Sequence, residues 1–213
     1  MIRVYAFVAQ LERLPEVAGV DGRPLEEHAL EDVSAVVSRH SAPAAGDPRA
    51  DAVSHGLVVE GLAALAPAVL PVRFGQTFGD AAALAAVMRE RRDAIRRALD
   101  HVRGCVEIGV RVAGAALPRS ALAASSGSDY MQERLARLAE HDAITHELHE
   151  RLEDLSRASV QGSRAGFEAA YLLERTRLDA AQDAVRRFAT SHPELTVVST
   201  GPWAPYSFGG VAS

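Results

Sequence analysis

The stretch Cys105-Val-Glu-Ile-Gly-Val-Arg-Val112 decides the fold of this chain, because a second set of secondary-structure elements begins there. The helical pattern before it ends at Gly104, a residue suited to a helix C-terminus. We therefore predict a domain boundary near residues 100–104, with an N-terminal domain over 1–103 and a second domain over 104–200. The aliphatic residues of the stretch alternate with a second set that predicts a solvated or edge-like face, namely Cys105, Glu107, Gly109 and Arg111.

The elements after this strand predict a ferredoxin-like order. A helical region is expected at about Ser128–Ser156, where two apolar stripes fall out of phase at His141-Asp142 and indicate two helices or a kink. The order strand, helices, strand, strand, helix, strand matches the ferredoxin-like βαββαβ unit with inserted helices at about 128–156. The later elements are expected as a weak strand at Ala158–Ser163, a strand at Phe167–Arg175, a helix capped by Thr176 with Asp179 in the capping-box position, and a strand at Leu195–Thr200.

The N-terminal part predicts a separate α+β domain built on a central strand at residues 2–9. After a tight turn at Gly19–Gly22, a second strand from about Leu30 to Ser38 is expected to pair with the first. Both faces of the central strand are apolar after Arg3, with alternation that places Ile2, Val4, Ala6 and Val8 opposite Tyr5, Phe7 and Ala9.

A helix is predicted from Pro48 to about Leu65, with Asp47 as its N-cap. His55 and Glu60 lie on this helix, and we interpret them as ordinary residues of its polar face. This interpretation assigns them no chemistry.

The segment Pro71–Phe78 is predicted to be short and extended, with Arg73 as the candidate buried arginine. A second helix is expected to begin at Gly79-Asp80, because the apolar residues that follow keep helical spacing as far as Val102.

The tail, residues 201–213, follows the last predicted strand and contains the single tryptophan of the chain, Trp203, together with Tyr206 and Phe208. Prolines and glycines between these rings disfavour a helix or a long strand. One interpretation is that the tail folds back on its own domain and closes the core, since three rings cover a large apolar area. The alternative is that part of it stays available as an aromatic anchor for another protein.

The composition predicts a folded, soluble chain, with 48% hydrophobic residues among 213. A net charge of -5 argues against a nucleic-acid surface. The sequence contains neither a signal-peptide pattern nor a membrane-length apolar run, so no membrane partner is expected. One cysteine permits no internal disulfide, which fits a cytoplasmic location.

The sequence carries no strong catalytic, metal or cofactor signal, and we expect none of these functions. His146 and His149 are one residue closer together than the two histidines of a zinc-protease motif. With His141 they are interpreted as part of a solvated, mixed-charge helix face. The run Gly162-Ser-Arg-Ala-Gly166 lacks the spacing of a nucleophile elbow, and Cys105 is expected to be a small core residue.

Several segments of the chain, in the same order, carry a resemblance to a known family: Val4–Val8, Leu70–Gly75 with Phe78, Gly104–Arg111, Ala170–Leu173 and, most specifically, Thr200–Phe208. On these segments, which together span nearly the whole chain, the sequence resembles the gas vesicle accessory proteins of the F/L type, and its length favours the F type. Ala204 stands where the family usually has proline, and Gln76-Thr77 departs from the residues that commonly follow its Arg-Phe-Gly.

The resemblance implies two α+β domains, the second a modified ferredoxin-like fold with extra helices, and a tail that packs against the first domain. It also implies a non-enzymatic, chaperone-like role in gas vesicle assembly, in which the protein binds the hydrophobic main shell protein of the GvpA type and prevents its aggregation. Alternatives are a minor structural component of the vesicle wall or a scaffold for other accessory proteins.

Family motifs supply the candidate interaction residues, because the family has no catalytic residues to transfer. We expect Trp203, Pro205 and Tyr206 first of all to hold the two domains together. Contacts to the shell protein are expected near Arg73 and Phe74 or on the helices at 128–156. The full set of candidates is Arg73, Phe74, Gly75, Tyr171, Gly201, Pro202, Trp203, Pro205, Tyr206 and Phe208.

Overall fold

A computed structural model describes residues 1–41, 46–114, 142–162 and 167–210 of the chain. The chain divides into two compact units. The first unit combines Met1–Glu107 with Trp203–Ser213, and the second comprises Ile108–Pro202. The fold class is α+β, as predicted.

The first unit is an antiparallel sheet with two helices. Its strands follow the order β2-β3-β1-β4, and β5 also pairs with β1. All residues of the central strand are buried, because it has neighbours on both sides and apolar residues on both faces. The elements are β1 (Ile2–Ala9), β2 (Leu25–Leu30), β3 (Val33–Arg39), α1 (Pro48–Leu65), β4 (Ala68–Pro71), β5 (Thr77–Phe78) and α2 (Ala81–Val102).

An irregularity in β1 overturns the simple alternation predicted for it. The register against β3 shifts between Val4 and Ala6, which leaves Tyr5 as an extra residue at the shift. Tyr5 and Ala6 consequently belong to the same core cluster, with Leu62 of α1. A bulge inserts one residue without a direct cross-strand partner and changes which face the following side chains occupy.

Both helices of the first unit begin where the sequence predicts. The Asp47 side chain accepts a hydrogen bond from the Arg49 amide at 3.0 Å, and Asp80 accepts one from the Ala83 amide at 2.8 Å. These carboxylates satisfy amides that the first helical turn leaves unpaired. Gly104, at φ 69, follows the end of α2 in the left-handed conformation that favours glycine.

The strand β2 was not predicted, and its absence from the prediction has a clear cause. Its residues, Leu25-Glu-Glu-His-Ala-Leu30, are mostly partly exposed, as expected at the edge of a sheet. The turn to β3 contains Glu31 at φ 53 and no glycine. The usual sequence signals of a hairpin are therefore missing.

The second sheet has the predicted ferredoxin-like order. Its strands follow β7-β8-β6-β9, which places the first and third strands of the unit in the middle. The described helix between β6 and β7, α3, covers 142–155, and the prediction for 128–141 lies outside the described residues. The other elements are β6 (Cys105–Ala113), β7 (Ala158–Gln161), β8 (Phe167–Glu174), α4 (Leu178–Ser191) and β9 (Thr196–Trp203).

Three details of this region differ from the prediction. The central place of β6 buries Cys105–Ile108 on both faces, so the predicted solvated face begins only at Gly109. Thr176 does not cap α4, because it lies in a 3₁₀ turn at Arg175–Arg177 and the helix begins at Leu178 without a side-chain cap. The strand β9 continues through Gly201 and Pro202, which an edge strand tolerates because one side of its backbone needs no partner.

No helix within the described ranges is both long enough and apolar enough to cross a bilayer.

Candidate functional site

The motif Arg73-Phe74-Gly75 forms a turn between two strands that both pair with β1. The Gln76 amide donates to the Arg73 carbonyl oxygen at 3.3 Å, and Gly75 has φ 91. The predicted extended segment is therefore interrupted at its centre. Arg73 is exposed on this turn, so its prediction as the buried arginine is wrong.

The tail packs on the first unit through its small residues. Ala204 is 4% exposed and belongs to the core cluster that contains Tyr5 and Leu62, while Gly209 is also buried. A Cβ atom at Gly209 would lie 3.1 Å from the Pro71 carbonyl oxygen, which shows how closely the tail approaches β4. The predicted return of the tail to the first domain is thus confirmed.

Two hydrogen bonds to Glu107 hold the tail in place. Ser207 donates its backbone amide to one carboxylate oxygen at 2.8 Å and its hydroxyl to the other at 2.7 Å. Burial raises the pKa of Glu107, and the two bonds from Ser207 oppose that rise. Glu107 is the structural anchor of this segment, a role that its sequence position on β6 did not indicate.

The large rings of the tail remain partly in solvent. Trp203 is 46% exposed and Tyr206 is 44% exposed, so closure of the core by these rings is not what the structure shows. Burial and then the nearby charge of Glu60 raise the pKa of Tyr206 to about 12. Glu60 itself is exposed, as predicted for the polar face of α1.

A groove of about 460 Å³ lies between the Arg73-Phe74-Gly75 turn and the tail. Phe74, 37% exposed, and Tyr206 supply its rings. It thus brings together two motifs that lie far apart in the sequence. The residues that line it are Pro71, Arg73, Phe74, Tyr206, Ser207, Gly209 and Gly210.

Phe74 connects this groove to a buried polar cluster in the first unit. The Phe74 ring meets the His55 ring edge-on at 5.7 Å between centroids, and the Arg3 guanidinium carbon lies 5.4 Å from the Phe74 centroid. Arg3 is 5% exposed and His55 is 2% exposed. The prediction of His55 as a polar-face residue is therefore wrong, and among the described residues Arg3 is buried where the sequence predicted Arg73.

The protonation of His55 follows from its contacts. Its Nε2 lies 3.0 Å from the Val72 carbonyl oxygen, which can only accept, so Nε2 carries the proton and donates it. Burial lowers the pKa of His55, and the positive charge of Arg3 lowers it further, against the opposing effect of the Val72 bond. His55 is consequently neutral at physiological pH.

A chain of hydrogen bonds runs from Tyr5 to the turn at Val20–Gly22. The Val20 amide donates to the Tyr5 hydroxyl at 2.8 Å, and a second hydrogen bond, 2.7 Å long, joins that hydroxyl to Ser38 Oγ. Ser38 Oγ is also hydrogen-bonded to His40 Nε2 at 2.9 Å, and His40 Nδ1 lies 3.5 Å from an Asp21 carboxylate oxygen. Burial raises the pKa of Tyr5, and these partners satisfy its hydroxyl in the core.

Tyr171, the candidate from the second unit, belongs to a separate buried cluster. Its hydroxyl lies 2.8 Å from His149 Nδ1, and His149 Nε2 lies 2.6 Å from the Gln161 side-chain amide. His149 is 7% exposed, so its prediction as part of a solvated face is wrong, whereas His146 is exposed and pairs with Glu150. Within the described ranges no group of His, Cys, Asp or Glu is placed to bind a metal.

The structure therefore brings only some of the predicted residues together. Arg73, Phe74 and Tyr206 line the groove, Gly75 shapes its turn, and Pro205 and Phe208 flank Tyr206 in the tail. The missed contributors were Arg3, His55, Glu107 and Ser207. The sequence held one signal for Arg3, namely that it is the single charged residue within the hydrophobic run of β1. The other three residues are placed by contacts between distant segments, which the sequence does not reveal.

Comparison with known proteins gives a consistent picture. A family model described as gas vesicle synthesis protein GvpL/GvpF matches residues 2–209. Gas vesicle protein F of Haloferax mediterranei is 33% identical over 145 residues, which cover 66% of this chain and 59% of that protein. Gas vesicle protein L of a Streptomyces species is 32% identical over 185 residues, covering 75% of this chain and 68% of that protein. The chain thus spans about 59% of the length of the haloarchaeal F protein.

Solved structures share the fold at low sequence identity. The crystal structure of GvpF from Microcystis aeruginosa has a TM-score of 0.80 at 13% identity and covers 98% of both chains. The crystal structure of GvpF from Anabaena sp. PCC7120 has a TM-score of 0.76 at 16% identity, and the match covers 98% of this chain and 95% of that one. With the family match over nearly the whole sequence, the chain belongs to the GvpL/GvpF family of gas vesicle synthesis proteins, and its relatives support the F type.

Proposed function

We propose that this chain is a non-enzymatic gas vesicle accessory protein that binds the hydrophobic main shell protein of the GvpA type and prevents its aggregation before assembly. The observation that carries the proposal is the groove, whose rings Phe74 and Tyr206 are 37% and 44% exposed. Family membership supplies the gas vesicle context. A protein of this kind acts in the cytoplasm and at the growing vesicle.

Exposed apolar residues on α1 extend the surface beside the tail. Val53 is 62% exposed and Leu57, one helical turn farther on, is 52% exposed. Glu60 lies on the same helical face, and its charge contributes to the raised pKa of Tyr206. We call Val53, Leu57, Phe74 and Tyr206 together the apolar surface.

The apolar surface suits a partner that exposes hydrophobic side chains in water. Aromatic rings supply large contact areas and are the most frequent interface hot spots. A shell subunit with a gas-facing side presents such an area before it is assembled, and uncovered apolar area of this kind aggregates. Transient contact with the apolar surface would keep the subunit available for assembly.

The test is a pull-down from cells in which the main shell protein is co-expressed with this chain. We expect wild-type protein to recover soluble shell protein, and Phe74→Ala with Tyr206→Ala to recover at least about tenfold less, because each hot-spot ring contributes more than ~1 kcal/mol. Val160→Ala is the matched control, since Val160 is also exposed, at 44%, but lies on β7 in the second unit. Circular dichroism checks that each variant is folded.

The possible results separate the alternatives. Equal recovery by the double variant and the control would refute the groove as the binding site. No recovery by folded wild-type protein would refute binding of the shell protein and leave a scaffold for other accessory proteins. Retention in purified vesicles after denaturant washing would identify the chain as a minor wall component.

A further inference from the structure

Arg3 is a buried cation without a compensating anion in the described residues. It is the one charged residue of its strand, β1, and it is only 5% exposed. Its Nε and Nη1 atoms are buried and have no hydrogen-bond partner among the described residues. Its guanidinium carbon lies 5.4 Å from the centroid of the Phe74 ring, whose face attracts a cation but accepts no strong hydrogen bond.

No carboxylate among the described residues forms an ion pair with Arg3. Tyr5 and His55 lie beside it, and the Arg3 charge acts to lower the pKa of both, and of His40. Asp21 faces His40 at 3.5 Å, and the buried Asp51 of α1 lies near Asp21, since a Cβ atom at Gly46 would be 3.5 Å from Asp51 Oδ1 and 3.6 Å from Asp21 Oδ1. Neither carboxylate forms an ion pair with Arg3. Burial of an ionised group without an opposite charge or full hydrogen bonding is costly, so this arrangement favours a bound anion.

Phe74 separates the guanidinium from the groove. One side of its ring lies near Arg3, while the residue also lines the groove and is 37% exposed. It stands on the turn beside Gly75, which has φ 91 and open space where a Cβ atom would lie. Rotation of this one side chain would open the guanidinium to a group lying in the groove.

We propose that the first unit binds a carboxylate on Arg3, admitted from the groove past Phe74. A carboxylate matches the single charge of one guanidinium and accepts hydrogen bonds from it in plane. The neighbouring imidazole of His55 is neutral, so a dianion such as phosphate has no second cation to meet there. The carboxylate comes either from a free small molecule or from an acidic side chain of a protein in the groove.

The first experiment uses the purified chain and sodium propionate, with sodium chloride at equal ionic strength as the reference. We expect propionate to raise the melting temperature and to raise the pKa of His55, measured by NMR of its Cε1 proton, because a bound carboxylate offsets the Arg3 charge. Arg3→Met should weaken propionate binding about ten- to a hundredfold, the value of a charged hydrogen bond. The matched control is Arg49→Met, which removes an exposed guanidinium on α1 that does not line the groove and should leave the response intact.

The stability of the unliganded Arg3→Met variant provides a second readout. An anion-binding arginine that is unpaired in the free protein is a cost to folding, so this variant should melt at the wild-type temperature or higher. A large drop in melting temperature would show that Arg3 has a structural role instead. Wild-type protein that responds equally to propionate and chloride, or a propionate response that is unchanged in Arg3→Met, would also overturn the proposal.

A pull-down of co-expressed shell protein then distinguishes the two sources. Loss of recovery with Arg3→Met identifies an acidic side chain of the bound protein, and unchanged recovery identifies a free carboxylate. Because the propionate experiment contains no shell protein, it can succeed where the proposed function fails.

Discussion

The bond between Ser207 and Glu107 allows a quantitative test of how the tail is held. Ser207→Ala removes the hydroxyl that donates to Glu107 at 2.7 Å and leaves in place the 2.8 Å hydrogen bond from the Ser207 backbone amide to Glu107. A hydrogen bond to a charged group contributes ~1.5–3 kcal/mol, so we expect the free energy of unfolding to fall by about 2 kcal/mol. For a chain of this size, that corresponds to a melting temperature lower by about 4–8 °C.

The pH dependence of this effect follows from the direction of the Glu107 pKa shift. The folded-state pKa is raised by burial, so ionisation of Glu107 costs stability as pH rises from the ordinary value of 4.5 through the folded value. Removing the Ser207 hydroxyl raises the folded pKa further, because that donor favours the ionised form. The stability difference between wild type and variant should therefore be largest at neutral pH and shrink on acidification.

Urea unfolding followed by circular dichroism at neutral and mildly acidic pH measures both quantities. Ser54→Ala is the matched control, because its hydroxyl donates to the Ala50 carbonyl within α1 at 3.0 Å and touches no charge. We expect that control to change stability by less than about 0.5 kcal/mol. A Ser207→Ala variant as stable as the control, or a difference that does not vary with pH, would refute the assignment of Glu107 as the anchor of the tail.

Three further predictions concern other parts of the structure. Gly75→Ala should lose about 1–3 kcal/mol because its φ of 91 is strained for a residue with a Cβ, while Gly79→Ala, with equally open surroundings and no such φ, should be near neutral in the same thermal melts. Tyr5→Phe leaves the buried Val20 amide without its partner and should cost about 1–3 kcal/mol in chemical denaturation; an unchanged midpoint would contradict the hydrogen-bond chain. Tyr171→Phe removes the hydrogen bond to His149 and should shift the NMR resonances of the His149 ring, whereas the control Tyr206→Phe should leave them unchanged.

Local signals in the sequence were sufficient for most elements of the fold. The starts of α1 and α2 were predictable from Asp47-Pro48 and Asp80. A capping carboxylate and the hydrophobic residues that follow it act within the first one or two helical turns, so the signal is local. The ferredoxin-like order of the second sheet was also predictable, since it depends only on the order of elements. Edge strand β2 was missed because it is short of apolar residues and its turn lacks glycine.

The candidate site depended on facts that no local pattern contains. A bulge at Tyr5 sets which β1 side chains meet α1, and nothing in the run Ile2–Ala9 announces it. The prediction of Arg73 as the buried arginine failed for the same reason, because burial is decided by where the turn after β4 leaves the sheet. The tail was predicted to return, but its anchoring by Ala204 and Ser207, with the rings of Trp203 and Tyr206 left in solvent, required the three-dimensional contacts.

The composition of the first unit from two separate stretches has a consequence for biosynthesis. Met1–Glu107 leaves the ribosome before the whole of Ile108–Pro202, and only then does Trp203 onward become available. Until that moment the core around Leu62 lacks Ala204, and the carboxylate of Glu107 lacks both of its Ser207 donors. The groove has only the side formed by the turn after β4 during most of translation, and it is complete only after synthesis has passed Gly210.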